Sequence, residues 1–149
     1  MDSDHAHDKV RRRLFSGILV FAGRTPIVPI SKRQGAIETS TYGAEFCAMK
    51  MAVEELIAIR YMLRCLGVKV EHASLICGDN KGVVQNATIS ESLLKKKHVA
   101  ISYHKTREAA AAGICHPIKT KGTDNFADVL TKAQTLKAFC VLVGGFMFG

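Results

Sequence analysis

Four acidic positions in this chain could share one task. It opens MDSDHAHD (residues 1–8), gathering Asp2, Asp4, His5, His7 and Asp8 at one end of a protein whose net charge is +8. Glu45 follows in TYGAEFCAM, at the first turn of an expected helix and among the apolar Ala44, Phe46 and Cys47. Asp79 comes directly after an apolar run in LICGDNKG, and Asp128 sits in NFADVLTK beside Phe126, Val129 and Leu130. Each has an ordinary reading on its own. Chain ends fray, an acid suits the start of a helix, and Asp-Asn is a common turn pair. Placed near the ends of a first strand, a first helix, a middle strand and a final helix, they could instead meet in one pocket. Carboxylates that crowd together oppose joint ionisation. Mg²⁺ or Mn²⁺, which prefer hard oxygen ligands, would resolve the conflict. Two such ions about 4 Å apart can clamp a phosphodiester, one activating water and the other stabilising the leaving oxygen.

The elements that must position these acids follow from local patterning. LFSGILVFA (14–22) and PIVPI (26–30) are β-rich runs around a GRT turn, with 36–41 as a third short strand, giving an antiparallel meander. Pro29 requires an edge or a bulge. From Ala44 to Leu66, Met49, Ala52, Val53, Leu56, Ile59 and Leu63 recur at three- and four-residue steps. That spacing predicts an amphipathic helix, capped by Thr39, Ser40 or Thr41 and ended by Gly67. ASLIC (73–77) reads as a buried strand, 78–87 as a turn and short helix with Asn80 as cap, and 92–112 as a second long helix ended by Gly113. ICHPI (114–118) suits a last strand, and 125–133 a closing helix. The order βββ–α–β–α–α–β–α predicts an α/β fold with a mixed sheet: a meander first, then strands joined through helices.

Composition narrows the partners. With 149 residues, 48% of them hydrophobic and 23% charged, the chain is long enough for one domain with its own core. No apolar run approaches the ~20 residues of a membrane span. No basic region followed by an apolar stretch marks a secretory signal, so an intracellular (cytoplasmic or nuclear) protein is expected. Five cysteines (Cys47, Cys65, Cys77, Cys115, Cys140), none in a CxxC pair and each among apolar neighbours, suggest reduced core residues. Lys+Arg 21 against Asp+Glu 13, clustered at 11–13, 32–33 and 95–97, favours a polyanion. The apolar AFCVLVGGFMFG (138–149) reads as a buried segment or a loose tail.

Several stretches resemble the ribonuclease H domain at the end of copia-type retrotransposon polyproteins. They are DSDHAHD (2–8), RRRLFSGILVFAGRTPI (11–27), SKRQGAIETSTYGAEFCAM (31–49), GDNKGVVQNA (78–87), LLKKKHVAISYHKTRE (93–108) and NFADVLTKA (125–133). They follow in that family's order and cover most of the chain. The resemblance implies a ribonuclease H-like domain over 1–136 with an apolar tail at 137–149, and a five-stranded mixed sheet flanked by helices. It implies hydrolysis of the RNA strand of RNA–DNA hybrids with two Mg²⁺ (or Mn²⁺) ions, and parent reverse transcriptase and integrase segments as partners. Matched residue by residue, the catalytic and metal-binding acids are Asp2 (the first Asp of a D-x-D pattern), Glu45, Asp79 and Asp128, with Asp4 a secondary metal candidate. Lys95, Lys96, Lys97 and Asn80 are candidate nucleic-acid contacts. A catalytically inactive module that binds nucleic acid or packs on a polymerase is the alternative. Two departures stand out. Only Met1 precedes Asp2, so the central strand of the family is expected to be truncated and Asp2 misplaced on a frayed end. The loop KTKGTDN lacks the histidine that many ribonucleases H carry. His98 and His104, six apart, do not share a helix face and are expected to be structural.

Overall fold

The structure is a computed structural model that describes residues 1–4, 14–35, 40–89 and 99–147, with backbone alone for Asp4 and 145–147. Among the described residues are five strands and four α-helices in a mixed α/β arrangement. The strands are β1 (Asp2–Asp4), β2 (Phe15–Ala22), β3 (Thr25–Arg33), β4 (Ser74–Gly78) and β5 (Cys115–Lys119). The helices are α1 (Thr41–Cys65), α2 (Lys81–Thr88), α3 (Ala100–Ala111) and α4 (Leu136–Met147). None is long and apolar enough to cross a membrane.

β2 and β3 form an antiparallel hairpin around the two-residue turn Gly23–Arg24. Gly23 has φ +63°, a left-handed conformation that glycine adopts without steric cost. β3 is the outer strand of its sheet, and Pro29 therefore lies on an edge, opposite Leu19, as the sequence requires. β1 pairs antiparallel with the other side of β2, in the register Asp2↔Gly17, Ser3↔Ser16, Asp4↔Phe15. β4 and β5 pair in parallel, with α2 and α3 between them in the chain.

The five strands divide into sheets of three and two, β1–β2–β3 and β4–β5, rather than one continuous sheet. β1 is three residues long, and no ladder joins it to β4. One hydrogen bond spans the gap, from the Met1 amino group to Cys77 O at 2.8 Å. An open pocket of about 670 Å³ lies between the sheets, lined by Ile18, Val20, Leu56 and Phe126 together with Arg24 and Asp124. The short strand nevertheless pairs with β2, and Asp2 is buried rather than on a frayed end. Both ends of the Met1 backbone are held: the amino group by Cys77, and the carbonyl by the buried Asn125 amide at 3.1 Å. Asp2 is 1% exposed.

α1 starts at Ser40, whose hydroxyl accepts from Gly43 N–H at 3.2 Å, and the chain turns away after it at Gly67, φ +78°. Its N-terminal half buries Ala44, Glu45, Phe46, Ala48, Met49, Ala52 and Val53, while Tyr61, Met62 and Leu66 near its end are exposed. Phe46 packs between Tyr42, edge-on to it, and the tilted ring of Tyr103, joining α1 to α3. Arg60 donates to Val70 O, His72 O and Ser74 Oγ, fixing the segment that leads into β4. Gly113, φ +67°, ends α3 as expected, though residues 92–98 of the expected helix lie outside the described residues. So do 36–39 of the expected third meander strand, while Thr41 already begins α1.

Three local expectations need correction. The closing helix at 125–133 is a 3₁₀ segment, Phe126–Leu130, in which tighter turns carry the chain across β2. The apolar C-terminal stretch is a helix, with Leu142 buried and Leu136, Phe139 and Val141 exposed. Of the five cysteines only Cys115 is buried, and Cys65, Cys77 and Cys140 are exposed. Apolar neighbours in sequence did not place those three in the core, because they fall on the exposed face or at the last residue of their elements.

Candidate metal centre

The fold carries three acids from distant parts of the chain to one point. Asp2 begins β1, Glu45 lies on the buried stripe of α1, and Asp79 follows the carboxyl end of β4. Each offers a carboxylate oxygen, and those oxygens all lie within 4.8 Å of one another. Glu45 belongs to that stripe because it precedes Ala48, Met49 and Ala52 by three, four and seven residues, the spacing of one helix face. An acid in that position is driven inward by the packing of its neighbours, and it is only 3% exposed.

The electrostatics record the cost of this crowding. Glu45 is pushed from 4.5 up to about 7, first by burial, then by the charge of Asp2 and more weakly of Asp79. A hydrogen bond from Ser3 Oγ to Glu45 Oε1 at 2.9 Å works in the opposite direction. The second oxygen, Oε2, is buried and has no hydrogen-bond partner. A buried carboxylate with one oxygen lacking a donor, grouped with two more carboxylates, suits a hard divalent cation. The residues present therefore fit Mg²⁺ or Mn²⁺, with Asp2, Glu45 and Asp79 as the holding set.

Asp128 lies outside that trio but adjoins it through Asp2. Lys132 Nζ stands between the two, 3.2 Å from Asp2 Oδ2 and 3.3 Å from Asp128 Oδ1. Burial raises the Asp128 pKa, helped by the charge of Asp2 and opposed by Lys132. Burial works against the Lys132 ammonium, but Asp2 and Asp128 outweigh it and its pKa rises. Thr131 Oγ1 donates to the same Asp2 oxygen at 2.5 Å. Gly17 permits this assembly. A Cβ at that position would come 2.7 Å from both Ala127 O and Thr131 Cγ2, so a bare backbone on β2 lets the 3₁₀ segment settle beside Asp2.

The remaining sequence candidates fall elsewhere. Asn80 caps α2, its side-chain oxygen accepting from Gly82 N–H at 3.1 Å and Val83 N–H at 3.2 Å. Asp4 is the last residue of β1. Lys95, Lys96 and Lys97 lie outside the described residues, as do His5, His7, Asp8 and His98. His104 sits on α3 with its ring edge-on to Tyr103. Sequence reasoning passed over Ser3, Asn125, Thr131 and Lys132. Lys132 did carry a signal, since it follows Asp128 by four residues in the orientation that forms a local ion pair. Ser3 and Asn125 carried none.

Comparison with known proteins gives the chain its relatives. It is 30% identical over 138 residues, 93% of its length, to the retrovirus-related Pol polyprotein from transposon RE2 of Arabidopsis thaliana. The same identity and extent hold for that from transposon RE1 of the same plant, and 28% for that from transposon TNT 1-94 of Nicotiana tabacum. No protein-family model matches the chain, and no solved structure matches it. The chain spans about a tenth of the length of these curated relatives. It is thus homologous, over nearly all of its extent, to one segment of the retrovirus-related Pol polyproteins of plant transposons.

Proposed function

We propose that this segment is a retrotransposon-derived ribonuclease H, with a ribonuclease H-like fold, that hydrolyses the RNA strand of RNA–DNA hybrids. The observation that carries the reading is the meeting of Asp2, Glu45 and Asp79, whose carboxylate oxygens lie within 4.8 Å of one another. Nucleases that cut a phosphodiester with divalent ions need this kind of donor set. The order of sequence motifs, the basic charge and the relatives' identity as Pol polyproteins support the choice of substrate class.

In this reading Asp2, Glu45 and Asp79 hold one ion, and Asp2 and Asp128 flank the place of a second. When bound, the two ions supply an activated water and charge stabilisation at the departing ribose oxygen. The chain's own residues bring Asp2 to both places, with Ser3 and Thr131 fixing the carboxylates by hydrogen bonds. Lys95, Lys96, Lys97 and Asn80 are proposed to contact the nucleic-acid backbone. The polymerase and integrase of a parent polyprotein are its proposed neighbours, in an intracellular setting.

The test is cleavage of an end-labelled RNA–DNA hybrid in Mg²⁺, with Asp79→Asn as control. Cutting of the RNA strand that falls at least a hundredfold in Asp79→Asn is the expected result, since loss of one ligand weakens metal affinity or activity severely. Hybrid binding without cleavage above that control, in a folded sample, would overturn the nuclease reading in favour of an inactive binding module.

A further inference from the structure

Lys132 borders the carboxylate cluster without belonging to its acids. Its ammonium is held by Asp2 Oδ2 and Asp128 Oδ1 at 3.2 and 3.3 Å. Asp2 is therefore shared, facing Glu45 and Asp79 in the trio and Lys132 in the pair. The lysine reaches this point from a partly open position: its side chain is 36% exposed, against 2% for that of Asp2. A four-carbon stem anchored at the surface can swing its charge into water at small cost, which neither Asp2 nor Asp128 can do.

We propose that Lys132 is a tethered placeholder for the second divalent ion. In the metal-free protein its single positive charge offsets part of the negative charge of Asp2 and Asp128. The first ion enters at Asp2, Glu45 and Asp79, a set that Lys132 touches only through Asp2. A second ion between Asp2 and Asp128 needs the oxygens that Lys132 holds, and a single and a double positive charge cannot occupy one notch a few ångströms wide. The second ion therefore binds only as Lys132 leaves, and loading is ordered. Lys132 acts on the metals through Asp2 and Asp128 and is a positioning residue. This proposal rests on the metal reading given above.

Binding of Mn²⁺ to the full chain, followed by the electron paramagnetic resonance of free Mn²⁺, tests it without recourse to activity. Wild type is expected to bind one ion more tightly than a second. Lys132→Met should tighten the second by about five- to tenfold, the scale of two part-exposed ion pairs, and leave the first within about twofold. Lys69→Met, which removes the same charge from an exposed position beyond the far end of α1, should change neither. In wild type, the ε-methylene resonance of Lys132 should move to the position of a solvated lysine as Mg²⁺ fills the second step. Equal tightening of both steps in Lys132→Met, or a Lys132 resonance unmoved through both, overturns the proposal while leaving the metal reading intact. Failure of both wild type and variant to bind any Mn²⁺ overturns the two together.

Discussion

Glu45 makes the metal-free protein sensitive to pH in a direction opposite to that of most carboxylates. Its pKa rises from 4.5 to about 7 because burial and Asp2 disfavour the charged form. Between those values the folded state holds a proton that the unfolded state has lost, so stability falls as pH rises through that window and levels off above it. At about 1.4 kcal/mol per pKa unit, ionised Glu45 costs the folded protein about 3 kcal/mol at pH 8. Glu45→Gln removes that cost. The Gln oxygen can still accept from Ser3, and its amide nitrogen replaces the partnerless Oε2 with a donor. Thermal melts by circular dichroism at pH 5 and pH 8, with EDTA present, should show the variant close to wild type at pH 5. At pH 8 it should melt roughly 5–10 °C higher, given about 2–4 °C per kcal/mol for a domain of this size. A residual fall with pH should remain in the variant, because the Asp128 pKa is raised as well. Mn²⁺ should reverse the order at pH 8, stabilising wild type and not the variant. A Glu45→Gln protein no more stable than wild type at pH 8 in EDTA would refute the account of Glu45 as a strained, buried ligand.

Two further substitutions examine the scaffold. Gly17→Ala should lower stability by about 1–3 kcal/mol in urea unfolding, since the new methyl meets backbone at Ala127. Gly78→Ala should cost much less, because the group it meets is the flexible end of Met1 at 2.8 Å. Asn80→Ala removes the cap of α2 and should shift the urea midpoint by the equivalent of about 1 kcal/mol.

Local structure was written in the sequence where it depended on local rules. The apolar steps of α1, the stop at Gly67, the apolar run before Asp79, the edge placement of Pro29 and the Asn80 cap all depend on residues within a turn or two of each other. The association of four acids with one chemistry rested on residue type and on the resemblance of the surrounding motifs, and the structure brings three of them, Asp2, Glu45 and Asp79, together. Other features depend on packing between distant elements, and no local pattern encodes them. Asp2 is ordered because Cys77 and Asn125 grip Met1 across the fold. The five described strands fall into two sheets, and β1 meets β4 through the hydrogen bond from Met1 to Cys77. Residues 126–130 tighten into a 3₁₀ segment against the bare backbone of Gly17. That same approach decides that Asp128 flanks Asp2 instead of joining the trio, and that Lys132 stands between them. Residue types set which groups could hold a metal. Their separation and the pKa of Glu45 were fixed only when strand register and helix packing brought those charges together out of water.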